Sequence, residues 1–247
     1  MSMRILSHST LSIVLAFILA GPAASRADET LPAWYEVARQ FVEGNTRLIK
    51  GANTSNSNAL ELLETQEAAV KKLKLLPPPS VEELNQLIQS AHLEEREAAL
   101  ATAMVLGLHD FPLVKATLLN YEREEGFLAK VYSQRVLENI TPSQRKVVEK
   151  QMFNILRNER EDSIFIAGMQ NVVRLDRDRR TAVFVQHMRN GSDGMLRACT
   201  VALAKLGRPD LDAVKTRLKQ LRAKNAVSFL DRHGEATLRE FASQGDK

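Results

Sequence analysis

Cysteine is almost absent from this chain: Cys199 is the only one among 247 residues. A single thiol excludes an intramolecular disulfide and any metal site built from several cysteines. Glycine (11) and proline (8) are sparse, and aromatic residues make up 5% with one tryptophan, Trp34. So few turn-formers argue against a β-sandwich or a glycine-rich nucleotide-binding fold. Alternating apolar–polar runs of strand type are missing too. What remains abundant is Ala, Leu, Glu, Lys and Arg, the residues that lose least on entering a helix. With 44% hydrophobic and 26% charged residues, the composition predicts a folded all-α protein.

Long apolar runs are confined to the beginning. Leu11 to Ala20 (LSIVLAFILA) follows a short segment carrying Arg4, and ten residues are too few to span a bilayer as a helix. Gly21-Pro22 then breaks it, and Ala23-Ala24-Ser25 and Ser25-Arg26-Ala27 place small residues at −3 and −1 for cleavage after Ser25 or Ala27. That pattern predicts a Sec-type signal peptide over 1–27, with no cysteine for a lipid anchor. The expected location is periplasmic or secreted, with no transmembrane segment after cleavage. Losing Arg4 and Arg26 lowers the formal charge from +4 to +2. The remaining charge is unevenly spread: residues 28–170 hold 16 basic and 21 acidic side chains, a net of −5. Residues 171–247 hold 16 and 9, a net of +7. The chain is a charge dipole along its length.

Apolar residues recur at helical spacing almost throughout, giving about twelve helices in two parts: an N-terminal helical segment over 28–90 and a paired-helix region over 91–247. Ser80 with Glu83, and Thr141 with Gln144, predict capping boxes, the second with Pro142 at the first helical position. Gly51 to Asn58 reads as a polar loop. Gly107 and Gly207 read as helix stops, and Asp110 and Asp210 as caps of the helices that follow.

These last pairs belong to a weak internal repeat. Displacing the sequence by 100 residues aligns 95–118 with 195–218, and seven of 24 positions coincide: Ala98/Ala198, Leu106/Leu206, Gly107/Gly207, Asp110/Asp210, Val114/Val214, Lys115/Lys215 and Leu118/Leu218. One hundred residues is about three periods of the ~33-residue helical-hairpin class. The stretch Leu196 to Asp210, with Val214 and Leu218 beyond it, resembles a bacterial HEAT-like repeat. The copy at 95–118 matches less closely, with His109 where the turn proline would stand. The resemblance implies helical hairpins stacked as a short HEAT-like α-solenoid, whose concave face usually binds another protein. The alternative is an irregular helical bundle.

No phosphate-binding loop, G-x-S-x-G or H-E-x-x-H occurs. Beyond the leader the histidines are His92, His109, His187 and His233. His109-Asp110 is similar to the central pair of HD phosphohydrolases, which would make the chain a helical metal-dependent hydrolase. The upstream histidine of that family has only His92 to supply it, and Asp110 already has a capping role. Cys199 falls at helical spacing with Leu196, Ala202 and Leu203, as a core residue does. Basic residues gather late: Arg174, Arg177, Arg179 and Arg180 between two helices, then Lys215, Lys219 and Arg222 at i, i+4 and i+7. A solvated helix face explains such runs, and so does a docking surface for an acidic protein, an anionic envelope polymer or a lipid surface. No aromatic residues interleave them, so nucleic acid is not expected. The reading that follows is an exported, non-catalytic interaction scaffold or adaptor of the bacterial envelope. It needs no metal or cofactor, and its partner-binding residues are Arg177, Arg179, Arg180, Lys215, Lys219 and Arg222. The hydrolase and an anionic membrane-surface protein are the alternatives.

Overall fold

The structure, a computed structural model, describes residues 31–51 and 56–245; the leader over 1–27 lies outside the described residues. The described residues form thirteen helices and no strand. They are α1 (Ala33–Lys50), α2 (Asn56–Leu75), α3 (Val81–Ile88), α4 (Leu93–Leu106), α5 (Phe111–Tyr121), α6 (Phe127–Glu138) and α7 (Pro142–Asn158). There follow α8 (Asp162–Ala167), α9 (Met169–Val173), α10 (Arg177–Met188), α11 (Asp193–Leu206), α12 (Arg208–Gln220) and α13 (Lys224–Gly245). The number exceeds twelve because Gly168 interrupts what the spacing of Phe165, Met169 and Val172 reads as one helix. A Cβ on Gly168 would lie 2.6 Å from Gln134 Oε1 and 3.1 Å from Leu156 Cδ2. The break therefore lets the backbone come close to α6 and α7.

Side-chain caps set four of the helix starts. The Ser80 hydroxyl accepts from the Glu83 amide (3.1 Å), and the Glu83 carboxylate accepts from the Ser80 amide (2.7 Å). Thr141 and Gln144 repeat the arrangement ahead of Pro142. Asp176 and Ser192 cap α10 and α11 through the amides of Arg179 and Met195. Three starts depart from expectation. α2 begins at Asn56, inside the polar stretch. Asp110 occupies the cap position of α5 without a side-chain cap bond; Pro112 in the first turn already removes one amide that would need a partner. Asp210 is not a cap, for α12 starts at Arg208 and the Asp210 carboxylate is drawn into an ion pair with Arg180.

The packing alternates. Helices α3, α5, α7, α10 and α12 lie against one another in succession, and so do α4, α6, the α8–α9 pair, α11 and α13. Cross-contacts α3–α4, α5–α6, α7–α9, α10–α11 and α12–α13 join the two rows as hairpins, which start at residues 81, 111, 142, 177 and 208. Ahead of them α1 packs on α2 and α4. No gap in packing falls near residue 90: one core cluster runs from Trp34 and Phe41 through Leu84 and Leu100 to Val136. A second, around Phe165, Phe184 and Leu203, fills the C-terminal half.

Side-chain bonds also connect neighbouring hairpins at separations close to one hairpin length. Arg96 donates to Glu124, 28 residues on, and Gln144 to the His109 carbonyl, 35 residues back. Asn171 donates to Gln134 across 37 residues. Arg180 donates to Asp210 across 30, whereas Arg208 and Glu235, 27 apart, join the two helices of the last hairpin. His187 contributes in two ways. Its ring stacks on Phe165 at 3.6 Å, and Nε2 lies 2.7 Å from the Leu156 carbonyl. A carbonyl only accepts, so Nε2 carries the hydrogen. Burial holds this imidazole below the ordinary histidine range.

Candidate functional site

The basic residues of the C-terminal third are the starting point, because they distinguish that region from the rest of the chain. Asp176, fixed as the cap of α10, sets the phase of that helix and turns Arg180 inward. Arg180 Nε and Nη2 donate to the two carboxylate oxygens of Asp210 at 2.6 and 2.9 Å, and Nη1 donates to the Leu175 carbonyl. The Asp210 side chain is only 6% exposed. A bidentate, nearly buried pair of this kind is a tie between α10 and α12. Arg179 bonds Glu149 at 2.8 Å and Asp176 at 2.9 Å. Arg177 donates to the Pro209 carbonyl at 2.6 Å. Arg174 donates to the Glu138 carbonyl.

Between α10 and α12 runs an open groove of about 550 Å³, lined by Arg177, Thr181, Ala182, Asp212, Thr216 and Arg217 among others. Its charges are mixed. The other flank of α12 faces α13, where Lys215 Nζ sits 2.5 Å from Asp231 and holds that carboxyl below its usual range. Lys219 acts on the same aspartate from further away. Lys219, Arg222 and Lys224 make no ion pair with a carboxylate among the described residues. Arg222 closes α12 with φ 57°, a left-handed conformation usually given to glycine. The amides of Arg222 and Ala223 return to the carbonyls of Lys219 and Leu218.

The six residues expected from the sequence are therefore not one surface. Arg177, Arg179 and Arg180 belong to the α10 side of α12 and are engaged in bonds that hold hairpins together. Lys215 is shared with α13. Of the six, Lys219 and Arg222 keep their charge without an ion pair or a bond to another hairpin, with Lys224 beside them. Charge patterning along a helix cannot reveal this, since Glu149, Asp210 and Asp231 lie on other helices than the Arg179, Arg180 and Lys215 they neutralise.

The remaining expectations are also placed. His109 Nδ1 lies 2.6 Å from the Gly107 carbonyl, and the His109 carbonyl accepts from Gln144, so the residue joins two hairpins. No group of three or more His, Cys, Asp or Glu is arranged around a common point among the described residues. Cys199 is buried, 3.7 Å from Met195 Sδ, and burial pushes its thiol up.

Two features have no counterpart in the sequence reading. One is a cleft of about 350 Å³ lined by Tyr121, Lys130, Asn154, Asn158 and Glu159. The Tyr121 hydroxyl donates to Glu159 Oε2 at 2.6 Å and accepts from Gln134 Nε2 at 3.1 Å. Burial and the adjacent carboxylate raise the phenol. Glu159 Oε1 accepts from the amides of Arg160 and Glu161, and Lys130 approaches Oε2 at 3.7 Å. With both oxygens occupied, this glutamate is a tie rather than a poised base. The other is an apolar groove of about 430 Å³ between the α8–α9 pair and α11. Neither has a local signature, because each is assembled from helices at least one hairpin apart.

The described residues define an all-helical protein. Comparison with protein-family models, with curated proteins and with solved structures finds no match. No helix among the described residues is long and apolar enough to cross a membrane.

Proposed function

We propose that the protein is an exported, non-catalytic interaction scaffold of the bacterial envelope, built as a short HEAT-like α-solenoid whose C-terminal basic flank receives an acidic protein. The observation that carries this reading is the alternating packing of five hairpins, bonded to one another at separations of about one hairpin. Such a stack is rigid along its length and presents an extended surface. The leader-like residues 1–27 support an envelope location. Lys219, Arg222 and Lys224 supply the recognition, because their charge is not cancelled by the fold. Long-range attraction to an acidic surface then speeds encounter and weakens with salt.

The test uses defined probes. The double variant K219E/R222E should lose capture of polyglutamate by roughly tenfold or more, with unchanged helicity by circular dichroism. Unchanged capture rejects the site. Flotation of the wild type with anionic vesicles, without polyglutamate binding, would replace the acidic protein by a lipid surface.

A further inference from the structure

The two ends of the hairpin array differ in what they leave uncovered. A stack of repeats needs a polar outer face on each terminal helix, since no further repeat will cover it. α13 meets this condition: it packs on α11 and α12 and turns Asp231, Arg232, His233, Arg239 and Glu240 outward. α2 does not. It packs on α1 and α4 and leaves Leu60 61% and Leu63 51% exposed. Positions 60, 63, 64 and 67 share one helix face, so these leucines are bordered by Glu64 and Glu67, with Glu61 alongside. The stripe is convex, apolar and acidic.

The complementary surface is the groove between the α8–α9 pair and α11. Ile166, Met169, Val173, Val201 and Leu206 line it, with Ile166 42% and Val201 40% exposed. Lys205 stands at its edge, its Nζ 5.5 Å from the centre of the Phe241 ring. Arg197 is exposed on the same helix. Neither cation pairs with a carboxylate among the described residues. The groove is concave, apolar and basic.

We infer that the α2 stripe of one copy seats in the α9–α11 groove of the next, so that the protein self-associates head to tail. Leu60 and Leu63 enter the groove while Glu64 and Glu67 meet Lys205 and Arg197. The contact joins two different surfaces, so it leaves one of each open and propagates. Pairing of α2 with α2 would instead be closed and would need no groove. This inference is independent of the acidic partner proposed above, which uses the α12 flank.

The experiment is a mixing test by sedimentation velocity. L60S/L63S removes the stripe and V201E blocks the groove; all three positions are solvent-exposed, so both variants should keep wild-type helicity. Wild-type protein should exceed the protomer mass as concentration rises, and less so at high salt. Each variant alone should stay a monomer, an association at least roughly tenfold weaker. Their equimolar mixture should form a two-copy species and nothing larger, because one intact stripe and one intact groove remain. A wild type that is monomeric throughout overturns the inference. So does a V201E variant that associates like the wild type, which is the signature of α2–α2 pairing, or a mixture that stays monomeric.

Discussion

The α4–α5 and α11–α12 segments, one hundred residues apart and identical at seven of 24 positions, are built on the same helices but joined differently. In the first, Gly107 adopts the left-handed conformation (φ 64°, ψ 29°), and the chain spends Leu108, His109 and Asp110 before α5 begins. In the second, Gly207 takes φ 96°, ψ 174°, and α12 starts at the next residue. Asp110 is consequently exposed with no cap bond, whereas Asp210 is carried into the first turn of α12 and buried against Arg180. Of the shared residues, Val114/Val214 and Leu118/Leu218 are buried in both segments, whereas the same Gly and Asp at the joint serve two different geometries. The N-terminal half makes a tie like Arg180–Asp210 from other positions: Arg96 donates to Glu124 and to the carbonyls of Ser90 and Ala91.

Three pairs of substitutions would break or sharpen this contrast. The largest difference is expected at the aspartates. Asp210→Ala strands Arg180 and should cost about 2–3 kcal/mol, less than for a fully buried pair because Arg180 retains some solvent contact. Asp110→Ala should stay within about 0.5 kcal/mol. Urea unfolding measures both, and equal losses would remove the distinction. Replacing Arg180 and Asp210 together by apolar residues should recover much of the loss.

The glycines come next. Gly207 sits in a region essentially reserved for glycine, so Gly207→Ala should cost about 2 kcal/mol. Gly107→Ala, in the milder left-handed region, should cost about 1 kcal/mol. Thermal midpoints ranked the other way would contradict the joint geometry. The smallest effect concerns the helix ends at the same offset. Arg222→Gly relieves a left-handed φ and should stabilise by about 0.5–1 kcal/mol, while weakening capture of an acidic probe. Glu122, with φ −68°, gains nothing from glycine and should lose a few tenths of a kcal/mol.

Much of the architecture was legible in the chain. Ser80–Glu83 and Thr141–Gln144 could be placed because a capping box is complete within four residues. Gly107 and Gly207 were legible as stops for the same reason, as was the buried place of Cys199. The interruption at Gly168 was not, for it exists only because Gln134 and Leu156 approach from other helices. The outward face of α2 was not legible either. An exposed leucine and a buried one look alike in a helical pattern until the neighbouring helices are known.

The sequence by itself determined an all-helical chain, some of its helix starts and stops, and a surplus of positive charge after residue 170. Tertiary structure alone decided which of those charges are cancelled, with Arg180 spent on Asp210 and Lys215 on Asp231 while Lys219 and Arg222 are left over. The reason is one of range: helical periodicity speaks about residues three or four apart, whereas these ion pairs form between residues 16–30 apart, brought together by the packing of different helices.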